Sequence, residues 1–426
     1  MELFGRRERF GSHLGLERIE LVCRELGNPQ DELKFVHLAG TNGKGSVAAF
    51  LARVLQAGGL KVGLFTSPHL EAYEERFQIN GAQVERGLLA RLVKQAEQAI
   101  DRVEAAHPDL GDVTEFELAT AVGFLCFRQA AVDIVILETG LGGRLDATNV
   151  VLPELTVITT IGHDHTNRLG ESLVQIAREK GGIIKRGVPV VSGVKKGRGE
   201  DVLRTIAAAK NAPWHTTGEI SWDKLGWDLD GGRLMFPGWG KVKIGLLGEH
   251  QLENAATALL ALRELAALGW PINQKAVLEG MATARWPGRL EVVSRQPLLL
   301  LDGSHNLEGI AALTRSLTQL SDDWAGQKFT FVFGMLENKE VGLIDPLFPL
   351  AAKFVFTAAE SGRFAPKEPR LLADYAGERG AAAGAYDRAA DALREALRTP
   401  PVCVCGSLYL VGSIKRILRQ RSVIIA

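Results

Sequence analysis

Apolar residues along this chain gather in short unbroken runs rather than in alternating ones. Lys34 to Ala39 (KFVHLA), Lys61 to Phe65 (KVGLF), Val132 to Leu137 (VDIVIL), Leu155 to Ile161 (LTVITTI) and Val188 to Val191 each read as a strand. Apolar, β-branched runs without polar alternation predict strands buried on both faces, as in a parallel sheet. The segments between them read as helices. One spans Val47 to Ala57 and stops at Gly58-Gly59. Another starts at Thr114, where Thr at the N-cap and Glu117 at N3 fit a capping box, and runs towards Gln129. Strands separated by helices predict a doubly wound α/β domain.

The texture changes at residues 214–247, where Trp214, Trp222, Trp227 and Trp239 crowd among glycines. This stretch reads as an antiparallel excursion within the first domain. A helix pattern returns at Leu252 to Leu268, and Trp286-Pro287-Gly288 reads as a hinge. Beyond it, strand signals recur at Leu290–Val293, Leu298–Leu301, Phe329–Phe333, Phe354–Phe356 and Val402–Val404. The alanine-rich stretch 381–397 is helix-like. The expected division is a larger parallel-sheet α/β domain over 1–286 and a smaller α/β domain over 287–426.

A length of 426 residues agrees with two or three domains. Lys plus Arg and Asp plus Glu both count 50, so the formal net charge is zero. That argues against charge-driven binding to nucleic acid or an anionic membrane. The N-terminal MELFGRRERF carries no apolar run of signal-peptide type, and no stretch reaches the roughly 20 apolar residues of a membrane span. Cys23, Cys126, Cys403 and Cys405 are too few and scattered for a disulfide framework. Cys403 and Cys405 read as buried thiols in a core strand. A cytoplasmic location is expected.

The sharpest chemical signal is Gly40-Thr41-Asn42-Gly43-Lys44-Gly45-Ser46, set between a strand and a helix. Glycines let the backbone curl its N–H groups around an anion, the helix adds its positive end, and Lys44 supplies a point charge for outer phosphates. Thr66-Ser67-Pro68-His69 follows the second strand, where ligands of open α/β sheets bind, so Ser67 is expected to face the same site. Glu138 ends an apolar strand and opens the glycine-rich run Thr139 to Asn149. A carboxylate there is costly without a cation, and Mg²⁺ favours carboxylate and phosphate oxygens. Gly162-His163-Asp164-His165 follows the fourth strand and suggests metal or phosphate contact, with zinc disfavoured by the absence of a nearby cysteine. By charge alone, Lys180 in IAREKGGIIK reads as a solvated helix residue. Gly248-Glu249-His250-Gln251 leads to Asn254 at a helix start, and Asp302-Gly303-Ser304-His305-Asn306 ends a strand of the second domain.

Taken together, HLAGTNGKGSV, TSPHL, YEERFQING, LETGLGGRLDATN, DHTNRLG, IAREKGGIIK, GEHQLENAATAL, WPGRLE, LDGSHN and GSLYLVG resemble the folylpolyglutamate synthase and dihydrofolate synthase family of the Mur ligase superfamily. The resemblance runs from Phe10 to about Lys415. It implies that the N-terminal domain is phosphate-loop ATPase-like and binds ATP, that the C-terminal domain is Rossmann-like, and that the active site lies between them. It assigns residues 40–46 to the phosphates of ATP. It makes Ser67, Glu138 and His165 ligands of Mg²⁺, and Lys180 a carbamylated lysine helping to hold a second Mg²⁺. It puts Asn254, Arg289 and Asp302 against the nucleotide. It places the pterin-bearing substrate against Thr114, Phe116 and Glu117 and against Asp146, Ala147 and Thr148.

The implied reaction joins L-glutamate to a reduced folate, and also to dihydropteroate, through an acyl phosphate. A carboxylate is a poor acyl donor until ATP phosphorylates it, and Lys44 with Mg²⁺ would neutralise the transferring group. His305 is a candidate base for the attacking amine, or a structural histidine. No nucleic acid, membrane or partner subunit is expected. The chain departs from the family's usual pattern at Gly181, His163 and Asn338. The alternatives are a Mur-type ligase acting on a UDP-muramoyl peptide and a nucleotide-binding protein that does not ligate. The first usually carries an extra N-terminal domain, for which a phosphate loop at residue 40 leaves no room.

Overall fold

In the computed structural model, residue 4, residues 15–358 and residues 365–420 are described. Most of the N-terminal segment searched for a signal sequence, Phe10 included, lies outside them. The larger sheet has eight strands. Their spatial order is Ala82–Gln83, Phe77–Ile79, Val62–Phe65, Ile134–Glu138, Phe35–Ala39, Leu155–Ile158, Val190–Ser192 and Trp214–Thr216. The first two pair antiparallel with each other, Phe77–Ile79 also pairs antiparallel with Val62–Phe65, and the remaining pairings are parallel. The central strands are buried at every position, which is why their sequences show no alternation.

Helices cover both faces. Lys44–Ala57, Glu249–Ala267 and Gln274–Thr283 pack one core, and Glu17–Glu25, Arg86–Ala106 and Glu115–Gln129 pack the other. Asp223–Asp228, Gly231–Phe236 and Gly240–Ile244 form a separate antiparallel sheet against the first core. The tryptophan-rich excursion is therefore antiparallel only in its later part, since Trp214–Thr216 extends the parallel sheet as an edge strand.

The second sheet has six strands, in the order Glu291–Arg295, Leu298–Leu301, Val402–Cys405, Phe329–Phe333, Ala351–Thr357 and Ala383–Tyr386. Its first strand is an antiparallel edge and the rest are parallel. Both of its faces carry their own cores, as a doubly wound unit requires. The helix-like expectation for 381–397 is corrected at its start. Ala383–Tyr386 is an edge strand pairing with Phe354–Thr357, and helix runs only over Ala389–Ala396. Alanine's helix propensity is a weak prior there, and an available sheet edge overrides it. All four cysteines are buried free thiols. No helix among the described residues is long and apolar enough to cross a membrane.

The fold sets the site by a topological rule. Phe35–Ala39 lies between Ile134–Glu138 and Leu155–Ile158, so the loops leaving these three strands open together at one end of the sheet. The loops after Leu298–Leu301 and Phe329–Phe333 of the second sheet meet them. Asn306 Nδ2 donates to Asn42 Oδ1 at 3.2 Å and to Asp164 Oδ2 at 2.9 Å, and Glu308 Oε1 accepts the His163 N–H at 2.9 Å.

Candidate active site

The phosphate loop is a curl held from the side. Thr41 N donates to Thr160 O at 2.9 Å, Asn42 N donates to Thr160 Oγ1 at 2.9 Å, and Thr159 Oγ1 donates to Asn42 O at 2.6 Å. The helix begins at Lys44, three residues before the sequence pattern predicts, because Gly43 caps it with φ of +86°. A Cβ at Gly43 would also stand 2.3 Å from Asn254 Oδ1, and one at Gly45 would stand 2.5 Å from the Trp286 indole nitrogen. Those two glycines therefore admit Asn254 and the hinge tryptophan onto the loop. Backbone amides at the first turn of a 14-residue helix, facing the end of a parallel sheet, suit a phosphate group.

Two lysines converge beneath this loop. Lys44 Nζ donates to Gly40 O at 3.0 Å, and Lys180 Nζ donates to the same oxygen at 2.9 Å. Lys180 is 4% exposed, so the solvated reading from charge alone is wrong. Ser172 caps its helix with a capping box, and the last turn of that helix carries Lys180 inward. Burial first, and then the Lys44 charge, push the Lys180 ammonium from 10.5 down to about 7.

Glu138 is 4% exposed at the end of its strand. Lys44 Nζ stands 3.8 Å from one carboxylate oxygen, and the Ser67 N–H is 3.4 Å from the other. Burial raises its pKa, and the neighbouring Asp146 adds to the rise, while Lys44, the Ser67 amide and Arg289 oppose it. A buried carboxylate so weakly compensated by protein, next to a serine hydroxyl and the phosphate loop, fits a hard dication. Among the described residues no group of three or more His, Cys, Asp and Glu could hold a metal by itself. A cation here would therefore take its remaining ligands from phosphate oxygens and water, as Mg²⁺ does.

The loop at 162–165 reaches the other side. His165 sits in the left-handed region at φ of +51°, with half of its side chain exposed and Nε2 4.0 Å from Asp164 Oδ1. Burial lowers its pKa, aided by the charges of Lys339, Lys44 and Lys180, which keeps the imidazole neutral enough to ligate. Asp164 is the loop's anchor. Burial alone would raise its pKa, but His165, the Asn306 amide, Lys339 at 3.5 Å and His305 together hold it below the usual carboxylate range.

From the second sheet come Arg289, Asp302 and His305. The Arg289 guanidinium bonds its neighbour Gly288 O at 3.2 Å, and its charge is felt at Glu138 across the cleft. Asp302 is buried, and its two oxygens accept Leu290 N–H at 2.8 Å and Ser304 N–H at 2.9 Å. It thus holds the turn carrying Arg289, where Leu290 has a φ of +45°. His305 Nδ1 lies 2.7 Å from Gly303 O. A carbonyl only accepts, so Nδ1 carries the proton and Nε2 is bare. Burial lowers the pKa, against the opposing pull of the Gly303 carbonyl and Asp164, which favours the neutral imidazole.

The expected acceptor residues fall into two groups. Thr114 and Glu117 close on each other, with Thr114 N to Glu117 Oε2 at 2.7 Å and Glu117 N to Thr114 Oγ1 at 3.2 Å. Glu117 also takes the buried Arg18 at 3.1 Å, so its carboxylate is committed within the fold. Phe116 instead lies over Gly140, where a Cβ would come within 2.5 Å of its ring. Asp146 and Thr148 bond to each other at 2.5 Å, and Ala147 lies buried between them. Sequence reasoning named no role for Asn306, Lys339, Arg18 or His37. Asn306 was visible as the amide of the 302–306 turn, and His37 as a polar residue inside an apolar strand.

Comparison with known proteins identifies the family. Residues 38–262 match the Mur ligase middle domain, and residues 288–408 match the Mur ligase glutamate ligase domain. The folylpolyglutamate synthase of Lacticaseibacillus casei is 34% identical, over 97% of this chain and 96% of its own. The dihydrofolate synthase/folylpolyglutamate synthase of Bacillus subtilis is 40% identical over 78% of each chain. The crystal structure of Mycobacterium tuberculosis folylpolyglutamate synthase, complexed with ADP and AMPPCP, superposes with a TM-score of 0.85 at 30% identity, over 95% of each chain.

Proposed function

Because the chain belongs to the Mur ligase family, and within it to the folylpolyglutamate synthases, we propose that it joins L-glutamate to reduced folates at the cost of ATP. The observation that carries this reading is the convergence of Lys44, Lys180 and Glu138 on the phosphate loop, with Arg289 brought from the second sheet. A ligase needs its nucleotide between two bodies, so that closure excludes water from an activated carboxylate. A nucleotide switch has no such need.

ATP would lie with its phosphates on residues 40–46, with Asn254 and Arg289 beside it. Asp302, whose oxygens the turn already uses, serves by aiming Arg289. Ser67, Glu138 and His165 would hold Mg²⁺, and a carbamate on Lys180 would add a carboxylate. When bound, Mg²⁺ supplies neutralising charge for the transferring phosphoryl group. Lys44 adds to that charge from the loop. The phosphorylated acceptor then loses phosphate as the glutamate amine attacks its acyl carbon. The amine must shed a proton, and His305 Nε2, bare and neutral, is the acceptor within this loop cluster. Phe116 and the 140–149 loop would line the pteridine end, with Thr114 and Glu117 holding the helix start behind it. The domain boundary falls between Trp286 and Pro287. The reading places a monomer in the cytoplasm.

A second acceptor, dihydropteroate, fits the same site, since both reactions use one activated carboxylate and one amine. The Bacillus subtilis relative carries both activities in its name. The test supplies ATP, Mg²⁺ and labelled glutamate with tetrahydrofolate, dihydropteroate or a UDP-muramoyl peptide separately. Label in the folate supports the proposal, and label in dihydropteroate supports the second activity. Label in the muramoyl peptide alone overturns both.

A further inference from the structure

Strand Phe35–Ala39 carries one polar side chain, His37, in a run of five buried residues. Its Cα is in register with Leu137 and Thr156 on the flanking strands, so the ring lies inside the protein's packing. An imidazole at such a position is unfavourable unless it makes a specific bond. The bond it makes is to the hydroxyl of Thr148, with Nε2 at 2.8 Å from Oγ1. Thr148 Oγ1 in turn is 2.5 Å from Asp146 Oδ1, and Asp146 Oδ2 accepts the Leu141 N–H at 2.8 Å.

Proton counting fixes the direction of this chain. Burial raises the Asp146 pKa, but its two oxygens accept the Thr148 N–H at 3.1 Å and the Leu141 N–H at 2.8 Å, as those of a carboxylate do. A carboxylate only accepts, so the one hydroxyl proton of Thr148 goes to Asp146. Thr148 must then accept from His37, which makes the imidazole the Nε2–H tautomer. Nδ1 is left as a bare acceptor, and it is buried without a partner. Burial first, then the charge of Lys185, push the ring's pKa to about 3, so it stays neutral. The whole polar capacity of this side chain is aimed at one hydroxyl.

That hydroxyl is at one end of the 140–149 loop, and the Leu141 amide held by Asp146 is at the other. We propose that His37 is a positioning residue for the acceptor substrate, acting through Thr148 and Asp146 to hold this loop against the pteridine. The proposal rests on the reading that the loop lines the acceptor site. His37 also stands three residues before Gly40 on the strand that ends in the phosphate loop. One strand thus sets the register of both the phosphate loop and the acceptor loop.

Two substitutions separate positioning from simple core filling. His37→Leu removes the donor at similar volume, while His37→Gln keeps an N–H near the place of Nε2. The leucine variant is expected to raise the KM for folate about tenfold and the KM for ATP less than about twofold, the effect of losing one hydrogen bond that orders a loop. The glutamine variant is expected to return the folate KM to within about threefold of wild type. Thr148→Val should match His37→Leu, and the double variant should be no worse than either. A leucine variant that melts like wild type and keeps its folate KM overturns the proposal. So does a parallel rise in both KM values, which marks general loss of structure. Nitrogen-15 spectra of the wild-type imidazoles at pH 6–8 provide a readout without turnover. An Nε2–H signal that is constant with pH and shifts in Thr148→Val is expected, and an Nδ1–H tautomer overturns the relay. Wild-type protein inert towards every folate would overturn the acceptor reading instead, whatever the spectra show.

Discussion

Replacing Lys180 with methionine is expected to stabilise the protein below pH 7 while abolishing turnover. The side chain is 4% exposed, and its ammonium shares the Gly40 carbonyl with that of Lys44. Burial and then the Lys44 charge lower its pKa from 10.5 to about 7. The difference, 10.5 minus about 7, is about 3.5 units at about 1.4 kcal/mol each, or roughly 5 kcal/mol against the charged form. Methionine forfeits the bond to Gly40, about 2 kcal/mol for a charged donor, so the net gain is about 3 kcal/mol. The sign follows from proton uptake. Between about pH 7 and 10.5 the unfolded chain holds the proton and the folded chain has released it, so stability rises with pH across that window. The penalty is complete below pH 7, and the gain from methionine should be largest near pH 6 and vanish near pH 10. Thermal midpoints of both proteins in CO₂-free buffer from pH 6 to 10 measure it. A methionine variant destabilised equally at pH 6 and pH 9 would refute the reasoning. The same shift leaves about half of the amine neutral at pH 7, against roughly one part in 3,000 for an ordinary lysine, and carbamate formation needs that neutral amine.

Lys44→Ala should lower turnover at least about a hundredfold with little change in melting, and near-normal turnover in the folded variant would remove the phosphate role. Glu117→Ala leaves Arg18 buried without its carboxylate and removes the bond to the Thr114 N–H, half of the capping box, so urea titration should show a loss of about 3–5 kcal/mol; a loss under about 1 kcal/mol would show that the pair is not structural. Asn306→Asp keeps the cap on the 307–323 helix, through Gly309 N at 2.8 Å, but loses the donor shared by Asn42 and Asp164. Its kcat should fall about tenfold with melting nearly unchanged, and a wild-type kcat would show that this bridge does not couple the two bodies.

The parallel sheets were legible because burial on both faces writes unbroken apolar runs, as in Ile134–Glu138 and Phe329–Phe333. The phosphate loop was legible because its glycines follow such a run. What the sequence hid are contacts made by long-range folding. Lys180 looks solvated in IAREKGGIIK, and only the packing of its helix on the phosphate loop buries it. Glu117 was readable as a cap but not as the partner of Arg18, 99 residues away. Asp302 was placed at the nucleotide by resemblance, and only the folded chain shows that its two oxygens also accept the N–H groups of Leu290 and Ser304. Ala383–Tyr386 was misread because the alanines around it favour helix, outweighing Gly384 and Tyr386, and only a free sheet edge makes it a strand.

The central claim is that ATP activates the folate carboxylate by phosphorylating it, on a loop where Lys44 and Lys180 share one carbonyl oxygen. Tetrahydrofolyl glutamate labelled with ¹⁸O in its γ-carboxylate, incubated with ATP, Mg²⁺ and glutamate, tests this directly by mass spectrometry of the phosphate released. One ¹⁸O in phosphate for each amide formed is the predicted result, because phosphate leaves the acyl carbon with the bridging oxygen that came from the carboxylate. Amide formation with all of the ¹⁸O left in folate or water, and none in phosphate, would contradict the account.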